Sequence, residues 1–130
     1  MVNSIGTIDG PNGTVWNLTG STIARGSRVK STGTNANGMP EVALSGATDL
    51  DLGYATVDIP TGYYGEIKFA NAPGTFVGIA ATGGVTAGAE VYQAASGLVT
   101  ATSAGATPIG FSWDTAAATV LFRLQPTKTA

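Results

Sequence analysis

No stretch of eleven or more residues in this chain repeats its apolar residues at the period of a helix. Its apolar residues come instead in short alternating runs that end at glycine-bearing turns. Glu66-Ile67-Lys68-Phe69 is the clearest run, with Ile67 and Phe69 on one face and both charges on the other. Residues 28–31, 41–44, 54–59, 75–80, 90–93, 98–101, 109–113 and 119–124 read as further strands, and in the last of these Val120, Phe122 and Leu124 share one face. The Ala-rich stretches 86–95 and 115–119 have room for one helical turn each. The 19 glycines and 6 prolines among 130 residues argue against anything longer. Short strands with turns every eight to twelve residues or so predict an all-β fold, a small barrel or sandwich with little helix.

The strands fall into two related β units. Ile23-Ala24-Arg25-Gly26-Ser27-Arg28-Val29 aligns with Val85-Thr86-Ala87-Gly88-Ala89-Glu90-Val91 at an offset of 62 residues. Leu52-Gly53-Tyr54-Ala55 follows against Ile109-Gly110-Phe111-Ser112 at an offset of 57, and Ile67-Lys68-Phe69 against Val120-Leu121-Phe122 at 53. Order is kept and the offsets shrink slowly, as expected if only loops differ in length. One such unit can hardly bury its own apolar face, but two together can. The expected organisation is an extended N-terminal arm over residues 1–21 and a single β domain over 22–125. The repeats occupy approximately 22–70 and 84–125, and 126–130 form a frayed tail. Within the arm, Asp9-Gly10-Pro11-Asn12-Gly13 reads as a tight turn.

The chain contains neither histidine nor cysteine. The commonest general base, the commonest metal ligand and every thiolate are therefore missing. Asp49 and Asp51 are the one carboxylate pair at a suggestive spacing, but Asp49-Leu50-Asp51-Leu52 alternates, which predicts that both carboxylates face solvent. The expectation is a protein that is not an enzyme and holds no cofactor or metal. Six basic against eight acidic residues give a net charge of −2. No large basic patch is visible, which argues against a nucleic-acid partner. No apolar run approaches the roughly 20 residues needed to span a bilayer, and the N-terminus lacks the pattern of a secretory signal, so no membrane partner is expected.

Charged residues make up only 11% of the chain, well below the usual share of about 25%. So weakly charged a surface suggests that part of it meets other protein. Val15, Trp16 and Leu18 in the arm are candidates for that contact, although Trp16 can equally cap the domain's own core. Arg25, Arg28 and Lys30 form a basic cluster, either a solvated strand edge that discourages pairing or a contact to an acidic rim. Tyr63 and Tyr64 stand at a Gly-flanked turn, as interface residues or with one ring folded onto the core.

The second unit carries a family resemblance. Gly84-Val85-Thr86-Ala87-Gly88-Ala89-Glu90-Val91, the hairpin Ala95-Ser96-Gly97-Leu98-Val99, then Pro108-Ile109-Gly110-Phe111-Ser112 and the closing strand are similar to the pattern of tailed-bacteriophage capsid decoration (cement) proteins. The likeness covers residues 75–125 well and 22–70 more loosely. Ser96-Gly97 replaces the Asp-Gly often found at the hairpin tip. The resemblance implies a structural virion protein, made in the host cytoplasm and bound to the outer capsid surface. There it would bridge subunits of the major capsid protein as a homotrimer at three-fold or quasi-three-fold sites. A glycan-binding module or head-fibre base on a virion surface is the alternative, with Tyr63, Tyr64 and Trp113 as an aromatic platform.

Overall fold

A computed structural model describes residues 12–127. Ten strands carry the fold: β1 (Asn12–Asn17), β2 (Arg28–Thr34), β3 (Pro40–Leu44), β4 (Gly53–Ala55), β5 (Tyr63–Phe69), β6 (Phe76–Ile79), β7 (Glu90–Gln93), β8 (Val99–Thr100), β9 (Pro108–Ser112) and β10 (Leu121–Pro126). A single 3-10 turn, Ala95–Gly97, is the one helical element among the described residues. The all-β expectation holds.

The first five strands close into a barrel in the order β1-β3-β2-β4-β5, with β5 returning antiparallel to β1. The second five form a sheet in the order β6-β10-β9-β7-β8, and a parallel bridge from Ala80 to Val99 joins its two edges. That bridge corresponds to Asn17 beside Val42, where β1 runs parallel to β3. The second half is therefore the same topology, closed by a one-residue contact instead of a full strand pair.

The correspondence extends to individual hydrogen bonds. Ile23 and Ile59 exchange two backbone hydrogen bonds of 2.9 and 2.8 Å, and Val85 and Ala116 exchange two of 2.9 and 3.0 Å. Gly26 donates to Ala55 O at 2.8 Å, and Gly88 to Ser112 O at 2.7 Å. Both glycines have left-handed backbones, φ +90° and +81°, which a side chain would strain. The Asp58 carboxylate accepts the Arg25 N–H, and Thr115 Oγ1 accepts that of Ala87. The alignment at offsets 62 and 57 thus matches equivalent positions.

Four sequence expectations need correction. Residues 12–17 are not part of an arm. Val15, whose side chain is fully buried, and Asn17 point into the first barrel, and β1 corresponds to β6. Each repeat therefore starts one strand earlier than expected, while residues 1–11, with most of the Asp9-to-Gly13 turn, lie outside the described residues. The last strands align at an offset of 57, not 53: Gly53 pairs with Phe69 and Gly110 with Pro126, which sets Ile67 against Leu124. Val120 precedes β10, in a turn where Thr119 adopts φ +67°, so the strand alternation does not reach it and its side chain is exposed. Finally, Pro126 ends β10 and the Thr127 N–H donates to Ile109 O at 3.0 Å, so 126 and 127 belong to the domain, and 128–130 lie outside the described residues.

Two cores result. Val15, Ile23, Val29, Val42, Ala55, Ile59 and Ile67 fill the first barrel. Phe76, Val85, Val91, Val99, Phe122 and Leu124 fill the second half, joined by Tyr54, which projects from β4 of the first barrel and packs on Phe76 with ring centroids 4.9 Å apart. Burial of each large aliphatic side chain contributes roughly 1.5–3 kcal/mol.

Gly53 and Gly110 sit where neighbouring backbone leaves no space: a Cβ on either would overlap a carbonyl oxygen, that of Lys68 or of Gln125. Gly53→Ala and Gly110→Ala should each lower stability by about 3 kcal/mol or more, while Leu50→Ala, at a 91% exposed position, stays within about 0.5 kcal/mol of the parent. Urea unfolding monitored by Trp fluorescence reads both. A harmless glycine substitution would contradict the shared close approach.

Candidate functional site

The strongest polar feature of the molecule lies between the two halves. Arg28 opens β2 and is 0% exposed. Its Nε donates to Leu98 O at 3.0 Å and its Nη2 to Ala94 O at 2.5 Å, both in the β7–β8 hairpin of the second half. On its own side it donates to Gly46 O and Ser45 O and forms an ion pair of 3.1 Å with Asp51. Asp51 Oδ2 in turn accepts from Gln93 Nε2 at 2.8 Å, and the Gly97 N–H donates to Ser45 O at 2.7 Å. One planar guanidinium thus binds three segments, as its fixed fork of donors allows. Arg28 was expected at the surface as part of a basic cluster; the structure removes it from any external contact. Asp51, expected in solvent beside Asp49, has a side chain only 10% exposed because it neutralises that guanidinium.

The rest of the expected cluster disperses. Lys30 pairs with Asp49 at 2.9 Å in a half-exposed bridge. The Gly46 N–H and then Lys30 hold the Asp49 carboxyl below its ordinary pKa. Arg25 is exposed on the turn before β2. Beside the junction, Tyr54 Oη is buried without a partner, and desolvation followed by the nearby Asp51 charge pushes its pKa well up. An open cleft of about 900 Å³ runs along this seam, lined by Leu52, Tyr54, Phe69, Gln93, Ile109 and Pro126 among others.

Two aromatic surfaces stand out. In the first half Trp16 and Tyr64 are direct cross-strand partners, with ring centroids 4.6 Å apart. Asn35 and Asn37 donate from their side-chain amides to Tyr64 Oη at 3.0 and 3.1 Å and fix the ring outward. Tyr63 and Leu18 are exposed beside this pair, at the same end of the same two strands. In the second half Phe111 and Trp113 stack with centroids 6.4 Å apart and are 36% and 50% exposed. Of the candidate contacts, Trp16, Leu18, Arg25, Lys30, Tyr63 and Tyr64 reach the surface; Val15 and Arg28 do not. Sequence reasoning passed over Phe111 as a surface residue. The only available signal was its alignment with Tyr54, which gives the backbone position but not what covers it.

Next to Trp113, Asp114 accepts from Arg123 three times: from its backbone N–H at 2.9 Å, from Nε at 3.0 Å, and from Nη2 at 2.7 Å. These bonds, the side-chain ones foremost, hold the Asp114 carboxyl down to about 2. A lowered folded-state value stabilises the fold above the unfolded pKa of about 3.9, and that contribution is lost as pH falls through about 2. Among the described residues, no group of three or more His, Cys, Asp or Glu is placed to hold a metal ion, and no helix is long and apolar enough to cross a membrane.

Two outcomes follow. Arg28→Met leaves Asp51 without its counter-ion and takes a donor from several buried carbonyls, and should cost about 3–5 kcal/mol by urea unfolding, with Arg28→Lys recovering less than half, because a point charge cannot span the same acceptors. An NMR titration should place the Asp114 midpoint near 2 and move it upward in Arg123→Gln; an unmoved midpoint would refute the assigned cause.

No family model matches this sequence, and no curated protein does. Among solved structures the chain is similar in fold to the head fibre gp8.5 N base of bacteriophage phi29, with a TM-score of 0.71 at 14% identity, over 89% of this chain and 92% of that one.

Proposed function

We propose that this protein is a structural component of a bacteriophage virion, bound to the outer surface of the assembled shell, where it stabilises the shell by bridging major capsid subunits. The observation that carries the reading is the fold likeness to a phage head fibre base over nearly the whole of both chains. The surface supports it. Exposed aromatic side chains cluster at Tyr63 and Tyr64, beside the half-buried Trp16, and again at Phe111 and Trp113, on a body with few charges. Aromatic residues are enriched, and charged ones depleted, at the centres of protein interfaces. The work proposed is mechanical and needs no reacting group. A protein that binds only the assembled shell stabilises it by RT ln(1 + [L]/Kd), about 2.7 kcal/mol per site at a hundredfold excess over Kd. Three copies around each three-fold or quasi-three-fold site are the expected arrangement.

The comparison itself favours a second reading, the base of a head fibre. A fibre base also attaches to the shell but serves to carry another structure, so shell stability need not rise. Purified protein mixed with expanded shells that lack it separates the two. Saturable binding with a raised shell melting temperature supports the bridging role. Binding with an unchanged melting temperature supports the fibre base. No binding contradicts both.

A further inference from the structure

The duplication supplies a template for an interface that the single chain leaves half made. In the first half, the face formed by Gly26, Arg28 and Tyr54 is buried, because the second half lies on it. The space above Gly26 is filled by Leu121 Cδ2 and Ile79 Cγ1, which a Cβ would meet at 2.7 and 3.0 Å. Ile79 and Leu121 are cross-strand partners on β6 and β10.

Each of these positions has an equivalent. Gly88, Glu90 and Phe111 correspond to Gly26, Arg28 and Tyr54, since Glu90 pairs with Phe111 as Arg28 does with Tyr54. This second face is open: Glu90 and Phe111 are exposed, and nothing lies within 4 Å of a Cβ built on Gly88. The covering pair has its equivalent in Trp16 and Tyr64, partners on β1 and β5 as Ile79 and Leu121 are on β6 and β10. Among the described residues, each chain therefore carries one covered face with its cover, one open face, and one Trp16–Tyr64 pair that covers no equivalent face.

We propose that the Trp16–Tyr64 pair of one copy covers the Gly88–Phe111–Trp113 face of the next. The occupant is a second copy of this chain, because the open face repeats the backbone of a face that this fold already covers with its own β-sheet. The polar chemistry matches with its sign reversed. In the internal contact the Arg28 donors meet carbonyls of the β7–β8 hairpin; at the equivalent place Glu90 presents an acceptor, and the β2–β3 hairpin carries the side-chain amides of Asn35 and Asn37, which hold Tyr64 Oη. The contact joins two different patches, so it runs head to tail and closes into a ring when the rotation allows. It deepens the three-copy reading above and depends on it only for the number of copies.

The test needs no shells, so it can fail or succeed independently of shell binding. Sedimentation and native mass spectrometry of the full chain should show a closed oligomer in equilibrium with monomer. Trp113→Asp should weaken association at least about 30-fold while leaving the monomer's thermal unfolding unchanged. The chain has no cysteine, which permits a directional check. Tyr64→Cys and Trp113→Cys proteins, mixed under mild oxidation, should form a mixed disulfide pair faster than either forms one with itself. A strictly monomeric wild type at high concentration would overturn the proposal, as would preferential self-pairing of either variant.

Discussion

A single buried guanidinium sets the relation between the two halves of this protein. Arg28 belongs to the first barrel by sequence and backbone pairing, yet two of its donors end on carbonyls of the second half. Isolated burial of such a charge is strongly unfavourable, and pairing with Asp51 alone would at best offset it. The added carbonyl acceptors satisfy the remaining N–H groups, so the site is stable in one arrangement of the halves. Tyr54 on Phe76 and Lys68 over the Phe76 ring, 4.4 Å from its centroid, add apolar and cation–π contact along the same seam. The result is one body, with faces fixed relative to each other.

That rigidity matters because the proposed work is geometric. A protein that spans neighbouring subunits resists their separation only as well as its own halves hold together. The two copies of the unit keep the same turns and the same glycine contacts but differ in what covers them. Arg28 is an internal ionic anchor, and its counterpart Glu90 lies at the surface, where it accepts from the Tyr92 hydroxyl at 2.6 Å. Tyr54 is enclosed, whereas Phe111 is half open. The two units thus differ most in what covers their equivalent positions.

Much of the fold was legible because its rules are local. Alternation in Glu66-Ile67-Lys68-Phe69 marked β5, and Gly26 with Gly88 marked equivalent turns whose backbone only glycine adopts easily. What failed was non-local. Val15 alternates just as an exposed docking strand would, and only the long-range pairing of β1 with β5 and β3 shows that it lines the barrel. The pattern Arg28-Val29-Lys30 gives no sign that the arginine, rather than the lysine, enters the interior; its acceptors lie 66 and 70 residues away in the chain. Asp49 and Asp51 alternate with leucines, but they sit just before β4, where strand alternation does not govern. Of the candidate surface, the Tyr63-Tyr64 turn and Trp113 were readable from sequence, while the exposure of Phe111 beside Trp113 became visible only in the structure.

The measurement that reaches the central claim most directly is native-state hydrogen exchange at the junction. The Gly97 amide, bonded across the halves to Ser45 O, and the Ala55 amide, bonded to Ser27 O within the first barrel, report the two levels of structure. If the Arg28 junction makes the halves one body, both amides exchange only through global unfolding, with the same free energy and the same denaturant dependence. If Gly97 exchanges through a low-energy opening while Ala55 stays protected, the halves move independently and the account is wrong.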